Sequence, residues 1–125
     1  VKAPIFPVWD ENTVLFTTDT ELHSVQIAAT GGCGSPPCLN WTVAFGQSAS
    51  AVVQVPGKNH AFVGLANGEL RELTLDRLVP ATLPASRSFV VSGSQLGGIA
   101  MDVLLGMLYV SEASGKVYGI HYPIP

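Results

Sequence analysis

The sequence predicts an all-β protein in which one small antiparallel sheet is repeated three times along 125 residues. Three observations carry that expectation. Leu22, Val25 and Ile27 share their spacing with Leu70, Leu73 and Leu75, and again with Val117, Ile120 and Tyr122, at steps of 48 and 47 residues. A period of that size marks a repeat architecture. Each set begins two residues after a turn position, Thr20, Gly68 or Gly115. No segment sustains a helical pattern. Leu70 to Leu78 can be read at helical spacing, but Thr74 and Gly68 oppose it, and the same spacing elsewhere falls on β-favouring residues.

The elements follow in order. A first strand aligns on Ile5, Val52 and Ile99, at two steps of 47. Turn-rich links follow, Asp10-Glu11-Asn12, Pro56-Gly57-Lys58-Asn59 and Leu105-Gly106, whose Asn and Gly residues tolerate tight hairpins. The second strand is Val14-Leu15-Phe16-Thr17, His60-Ala61-Phe62-Val63 and Met107-Leu108-Tyr109-Val110. Its recurring aromatic predicts that Phe16, Phe62 and Tyr109 are equivalent and mostly buried, as are Ile5, Val52 and Ile99. The third strand carries the apolar sets. Long links run from Ala28 to Leu39 and from Asp76 to Arg87, where Gly and Pro prevent extended regular structure. Fourth strands are expected at Asn40 to Phe45 and Ser88 to Val91. The third repeat reaches Tyr122-Pro123-Ile124-Pro125 before a fourth strand could form. The expected count is four, four and three strands, in repeats of about 1–46, 47–93 and 94–125 within a single domain spanning 1–125.

Four short antiparallel strands per repeat of roughly 40 to 50 residues is the blade of a β-propeller. Propellers close with about four to eight blades, so three form an incomplete ring. The expected partners are therefore further blades of a longer parent, or neighbouring copies in a homo-oligomer or filament. Chain length and composition fit one domain with much to bury: 47% of residues are hydrophobic and only 12% charged, with a net charge of −3. No Lys/Arg run suggests nucleic acid or an anionic membrane as partner, and no apolar stretch reaches the roughly 18 to 20 residues of a membrane span. The sequence begins at Val1 without an initiator Met, so a processed product or part of a longer one is expected.

The wording of the repeats resembles the quinoprotein-dehydrogenase-like (PQQ-type) propeller superfamily. Trp41-Thr42-Val43-Ala44-Phe45-Gly46, Ser50-Ala51-Val52-Val53 and Ala61 through Leu70 are similar to that family's pattern of a Trp strand, a Gly turn, an apolar strand and a Val-Gly hairpin. Ile99 through Ser111 and Gly115 through Tyr118 are as similar to NHL- or YVTN-type propeller repeats. The resemblance implies the scaffold. The acidic, metal-ligating set of the PQQ enzymes has no counterpart here, so dehydrogenase activity does not carry over with it.

Cys33 and Cys38 read as a disulfide stapling an exposed loop in an oxidising compartment. A zinc site needs more ligands than lie near, and redox pairs usually have two intervening residues. Asn40-Trp41-Thr42 is an N-glycosylation acceptor, placed where it would be accessible. Together these favour a secreted or cell-surface protein. His23, His60 and His121 lack the partners a metal or catalytic site needs. Asp10, Asp19, Asp76 and Asp102 lie near turns without a calcium-loop pattern, and no Gly-x-Ser-x-Gly elbow occurs. The reading that results is a non-enzymatic extracellular module for assembly, structure or recognition, with no cofactor. A fragment of a quinoprotein-like oxidoreductase is one alternative. A lectin-like glycan binder using Trp9 or Trp41 is another.

Overall fold

A computed structural model describes residues 8–10, 13–27, 29, 33–35, 37–50, 52–55, 60–75 and 85–123. It shows an all-β chain with three antiparallel sheets of four, four and three strands. Sheet 1 is β1 (Val8–Asp10), β2 (Thr13–Thr17), β3 (Glu21–Gln26) and β4 (Cys38–Ala44), paired in that order. Sheet 2 is β5 (Val53–Gln54), β6 (His60–Gly64), β7 (Glu69–Thr74) and β8 (Ala85–Val90). Sheet 3 is β9 (Leu96–Asp102), β10 (Met107–Glu112) and β11 (Val117–His121). Among the described residues there is no helix, and so none long and apolar enough to cross a membrane. These are propeller-type blades in an incomplete set; no closed barrel forms among the described residues.

The spacing of the third strand has a direct structural meaning. Side chains alternate across a strand, so residues three apart face opposite sides. Leu70 lies on one face of sheet 2 and Leu73 on the other, and both are fully buried. A strand of this kind suits a sheet covered on both faces. Ala61, Val63, Leu73 and Leu75 pack against Leu15, Leu22 and Trp41 of sheet 1. Phe62 and Leu70 pack against Leu108 and Val110 of sheet 3, with Met101, Ile120 and Tyr122 around them. Sheet 2 is thus the middle layer.

The hairpins between second and third strands repeat in detail. Leu65 N–H donates to Glu69 O at 2.9 Å and Gly68 N–H to Leu65 O at 3.1 Å. In sheet 3, Glu112 N–H donates to Lys116 O at 2.8 Å and Gly115 N–H to Glu112 O at 2.9 Å. Gly68 and Gly115 adopt φ of 89° and 99°, which favours glycine. In sheet 1 the hairpin is one residue shorter, because Thr17 pairs with Leu22 whereas Gly64 pairs with Leu70 and Ser111 with Val117.

That shorter hairpin corrects one expectation. Through their third-strand partners, Leu15 (opposite Ser24), Phe62 (opposite Glu72) and Tyr109 (opposite Gly119) are the equivalent set. Phe16 is one residue out of phase and lies on the other face, half-buried. Tyr109 is not mostly buried but 38% exposed. Val52 is buried as expected, Ile99 is half-buried, and Ile5 lies outside the described residues. The fourth strands begin at Cys38 and Ala85, two or three residues before the expected starts.

Candidate interaction surface

Each internal interface joins one face of a sheet to the opposite face of the next, so the same face recurs at each step. The face of sheet 1 that meets sheet 2 carries Leu15, Leu22, Trp41 and Val43. The equivalent face of sheet 2, meeting sheet 3, carries Phe62, Leu70 and, through strand pairing, Phe89. In sheet 3 the equivalent positions are Tyr109 and Val117. Here the face is uncovered: Val117 is 67% exposed where Leu70 is 0%. The alternation along β11 shows it plainly, with Val117, Gly119 and His121 exposed and Tyr118 and Ile120 half-buried.

The same sheet ends in an apolar tip. The turn between β9 and β10 places Val103, Leu104 and Leu105 in solvent, Leu104 at 96% exposure. Asp102 shapes this turn, its Oδ1 accepting from Leu105 N–H at 3.1 Å. The corresponding links of the other repeats are polar in sequence, Asp10-Glu11-Asn12 and Pro56-Gly57-Lys58-Asn59. Of the eight large hydrophobic residues exposed among the described residues, five belong to sheet 3. Exposed apolar area concentrated in one place is what an interaction site presents.

Beside the open face lies a slot of about 410 Å³ between β8 and β11, lined by Leu70, Phe89, Val90, Tyr118, Gly119 and Ile120. It runs along the edge of sheet 3 where sheets 1 and 2 carry their fourth strands.

Polar groups at this end are tied to one another. Glu72 accepts from Arg87 Nε at 2.7 Å, and the Arg87 guanidinium sits 4.7 Å over the Phe89 ring. Ser114, Ser92 and Tyr118 hydroxyls hold the Glu112 carboxyl below its ordinary range, and the bond to Glu112 raises Tyr118 in turn. The Tyr118 hydroxyl donates to Glu112 Oε2 at 2.9 Å, and Ser114 donates to Oε1. Burial, with the nearby Glu72, raises Tyr122, whose ring meets Phe62 edge-on at 5.8 Å.

The residues singled out from sequence fall elsewhere. Cys33 and Cys38 are joined in a disulfide, with Cα atoms 6.0 Å apart. The bridge is not an exposed loop tip: Cys33 is only 4% exposed and Cys38 opens β4. Asn40 lies inside β4 and is half-buried, its Nδ2 donating to Ser24 Oγ at 3.2 Å. His23 stacks on Phe16 at 5.1 Å and shares a hydrogen bond of 3.2 Å with Thr42, while His60 packs edge-on to Tyr122 and His121 is exposed on β11. The three histidines do not converge. Asp19 accepts from Ser48 at 3.1 Å, the Asp10 side chain and Asp76 lie outside the described residues, and no group of three or more His, Cys, Asp or Glu among the described residues could hold a metal.

The incomplete ring of three repeats already implied uncovered apolar outer faces on the first and third repeats and an open edge on the last strand. That Tyr109 and Val117 lie on the uncovered face was not singled out, because Val117 reads as the equal of Leu22 and Leu70. No family model matches this chain, and no curated protein matches it.

Proposed function

We propose that the chain is a non-enzymatic, extracellular propeller-type module that works by joining other protein through sheet 3. One observation carries the reading: positions that are buried at both internal interfaces recur on sheet 3 as Tyr109 and Val117, exposed and apolar. A repeat unit that buries a face twice and then presents it to solvent is built to go on burying it. The disulfide supports an oxidising, secretory environment. The Asn40 sequon supports the same setting, with glycan attached at that residue. The resemblance of the repeats to PQQ-type and NHL or YVTN-type blades supports the scaffold and no particular chemistry.

Sedimentation of the chain across micromolar concentrations tests this. The expected result is a concentration-dependent species heavier than the 13.1 kDa chain. Val117→Lys, which sets a charge on the open face, should return it to a single chain. A compact 13.1 kDa monomer at every concentration would defeat the proposal.

A further inference from the structure

We infer that the slot beside β11 takes an extended strand from a partner polypeptide, and that it selects a strand bearing a large aromatic residue opposite Gly119 and an aliphatic one opposite Val117. The inference rests on the binding role proposed above and adds the partner's chemistry.

The hydrogen-bonding half of the argument comes from the repeat. In sheet 1, β3 pairs with β4 through Glu21↔Ala44, Leu22↔Val43 and Ser24↔Trp41. In sheet 2, β7 pairs with β8 through Glu69↔Val90, Leu70↔Phe89 and Glu72↔Arg87. Both ladders continue at the hairpin: Phe45 N–H donates to Thr20 O and Val91 N–H to Gly68 O, each at 2.9 Å. Gly115 is the third-repeat equivalent of Thr20 and Gly68. In sheet 3, β11 is the last strand in the order β11-β10-β9, so its outer edge faces the slot. Adding a strand at such an edge satisfies backbone groups in a fixed register.

The side-chain half gives the specificity. Where sheet 2 has Glu72, whose carboxylate holds Arg87, sheet 3 has Gly119. Where sheet 1 has the small Ser24, Trp41 lies opposite and is buried. Gly119 therefore supplies no counter-charge, and Tyr109, its partner on β10, shares the face, which favours an aromatic residue over Arg at that position. Val117 repeats Leu22 and Leu70, whose partners are Val43 and Phe89. The incoming strand's alternate residues enter the slot over Phe89, a place taken by small residues in both existing fourth strands: Thr42 and Ala44, Ser86 and Ser88. The β4 sequence matches this pattern and the β8 sequence does not.

Two labelled peptides, one spanning residues 38–46 with Cys38 replaced by Ser and one spanning residues 85–92, serve as probes in anisotropy titrations of the dilute wild-type chain. The first peptide should bind and slow amide exchange along β11. The second should bind more weakly, by up to about fivefold for each cross-strand pair that differs. Replacing Trp41 by Arg within the first peptide should cost about as much. Gly119→Glu should reverse the preference by restoring the acid that Arg87 meets in sheet 2. The added Cβ would meet Met107 Cε at 3.0 Å, a tight contact that the flexible end of that side chain must relieve by shifting. The peptide-side exchange keeps the test sound if that variant folds poorly. Absence of binding, binding without protection of β11, or equal affinity for both peptides would overturn the inference. If the chain also self-associates and the first peptide competes with that association, the occupant is a second copy and the partner named here is wrong. Failure of the peptides with self-association intact would leave the open-face proposal standing.

Discussion

Sheet 2 and sheet 3 are written with the same repeat and meet different fates. Phe62 and Tyr109 hold the same place, as do Leu70 and Val117, yet the first of each pair is sealed and the second is in solvent. The strand pattern decides which side chains share a face. What lies over that face is decided by neighbours far away in sequence. A covered face turns an apolar side chain into stability, at roughly 25 cal/mol per Å² buried. An uncovered one keeps that free energy for association.

The sharpest break of this comparison is a matched pair of truncations. Phe62→Ala removes a fully buried ring between two sheets and should lower unfolding free energy by about 3 to 5 kcal/mol. Tyr109→Ala, at the equivalent site, should cost less than about 1 kcal/mol in the dissociated chain. Denaturant titrations of both variants at low protein concentration check it. Equal losses would mean that the two faces are equally covered.

The hairpin glycines sharpen it further. Both hold left-handed backbone, so Ala at either is strained by about 1 kcal/mol or more. At Gly68 an added Cβ would also stand 1.9 Å from Ser92 O, inside packed structure, whereas at Gly115 nothing lies within 4 Å. Gly68→Ala should therefore destabilise clearly more than Gly115→Ala in the same thermal melts. A reversed order would show that the sheet 3 hairpin is the more constrained.

The smallest effect concerns acid. Sheet 3 places Glu112 at the hairpin position where sheet 2 places Leu65. Hydrogen bonds from Ser114, Ser92 and Tyr118 lower its pKa in the folded chain. A carboxyl lowered on folding adds stability that is present above its unfolded pKa and is lost as pH falls through the folded value. Glu112→Gln should lower stability slightly at neutral pH, where the ionised carboxylate contributes, and flatten the profile below the ordinary carboxylate value of 4.5, where that contribution is already lost. An unaltered acid profile would remove this role from Glu112.

Much of this architecture is legible in the sequence because the repeat is. The 47-residue step places the strands, and turn glycines such as Gly68 and Gly115 mark the hairpins. The phase of sheet 1 was also readable, since Phe16 to Phe62 is 46 residues while Leu22 to Leu70 is 48. One residue of that mismatch is the shortened hairpin and the other is Phe16 itself: Leu15 to Phe62 is 47 residues, so Leu15 and not Phe16 belongs with Phe62. An uncovered outer face on the third repeat was readable from the count of repeats; that Tyr109 and Val117 lie on it was not, because Val117 is as apolar as Leu70 and only a missing neighbour distinguishes them. Nor was the burial of Cys33, which depends on how a Gly- and Pro-rich link folds back. The slot depends on two strands 30 residues apart, Phe89 and Gly119, lying side by side.

Amide hydrogen exchange compared between β7 and β11 in the dilute chain tests the central claim most directly. β7 is paired on both sides, between β6 and β8, while among the described residues β11 is paired only with β10. Amides of residues 69–74 should all exchange near the global unfolding limit. Along 117–121 protection should alternate, with fast exchange at the amides turned to the slot, and the fast set should become slow when the peptide of residues 38–46 is bound. Uniform, β7-like protection of β11 in the dissociated chain would contradict it.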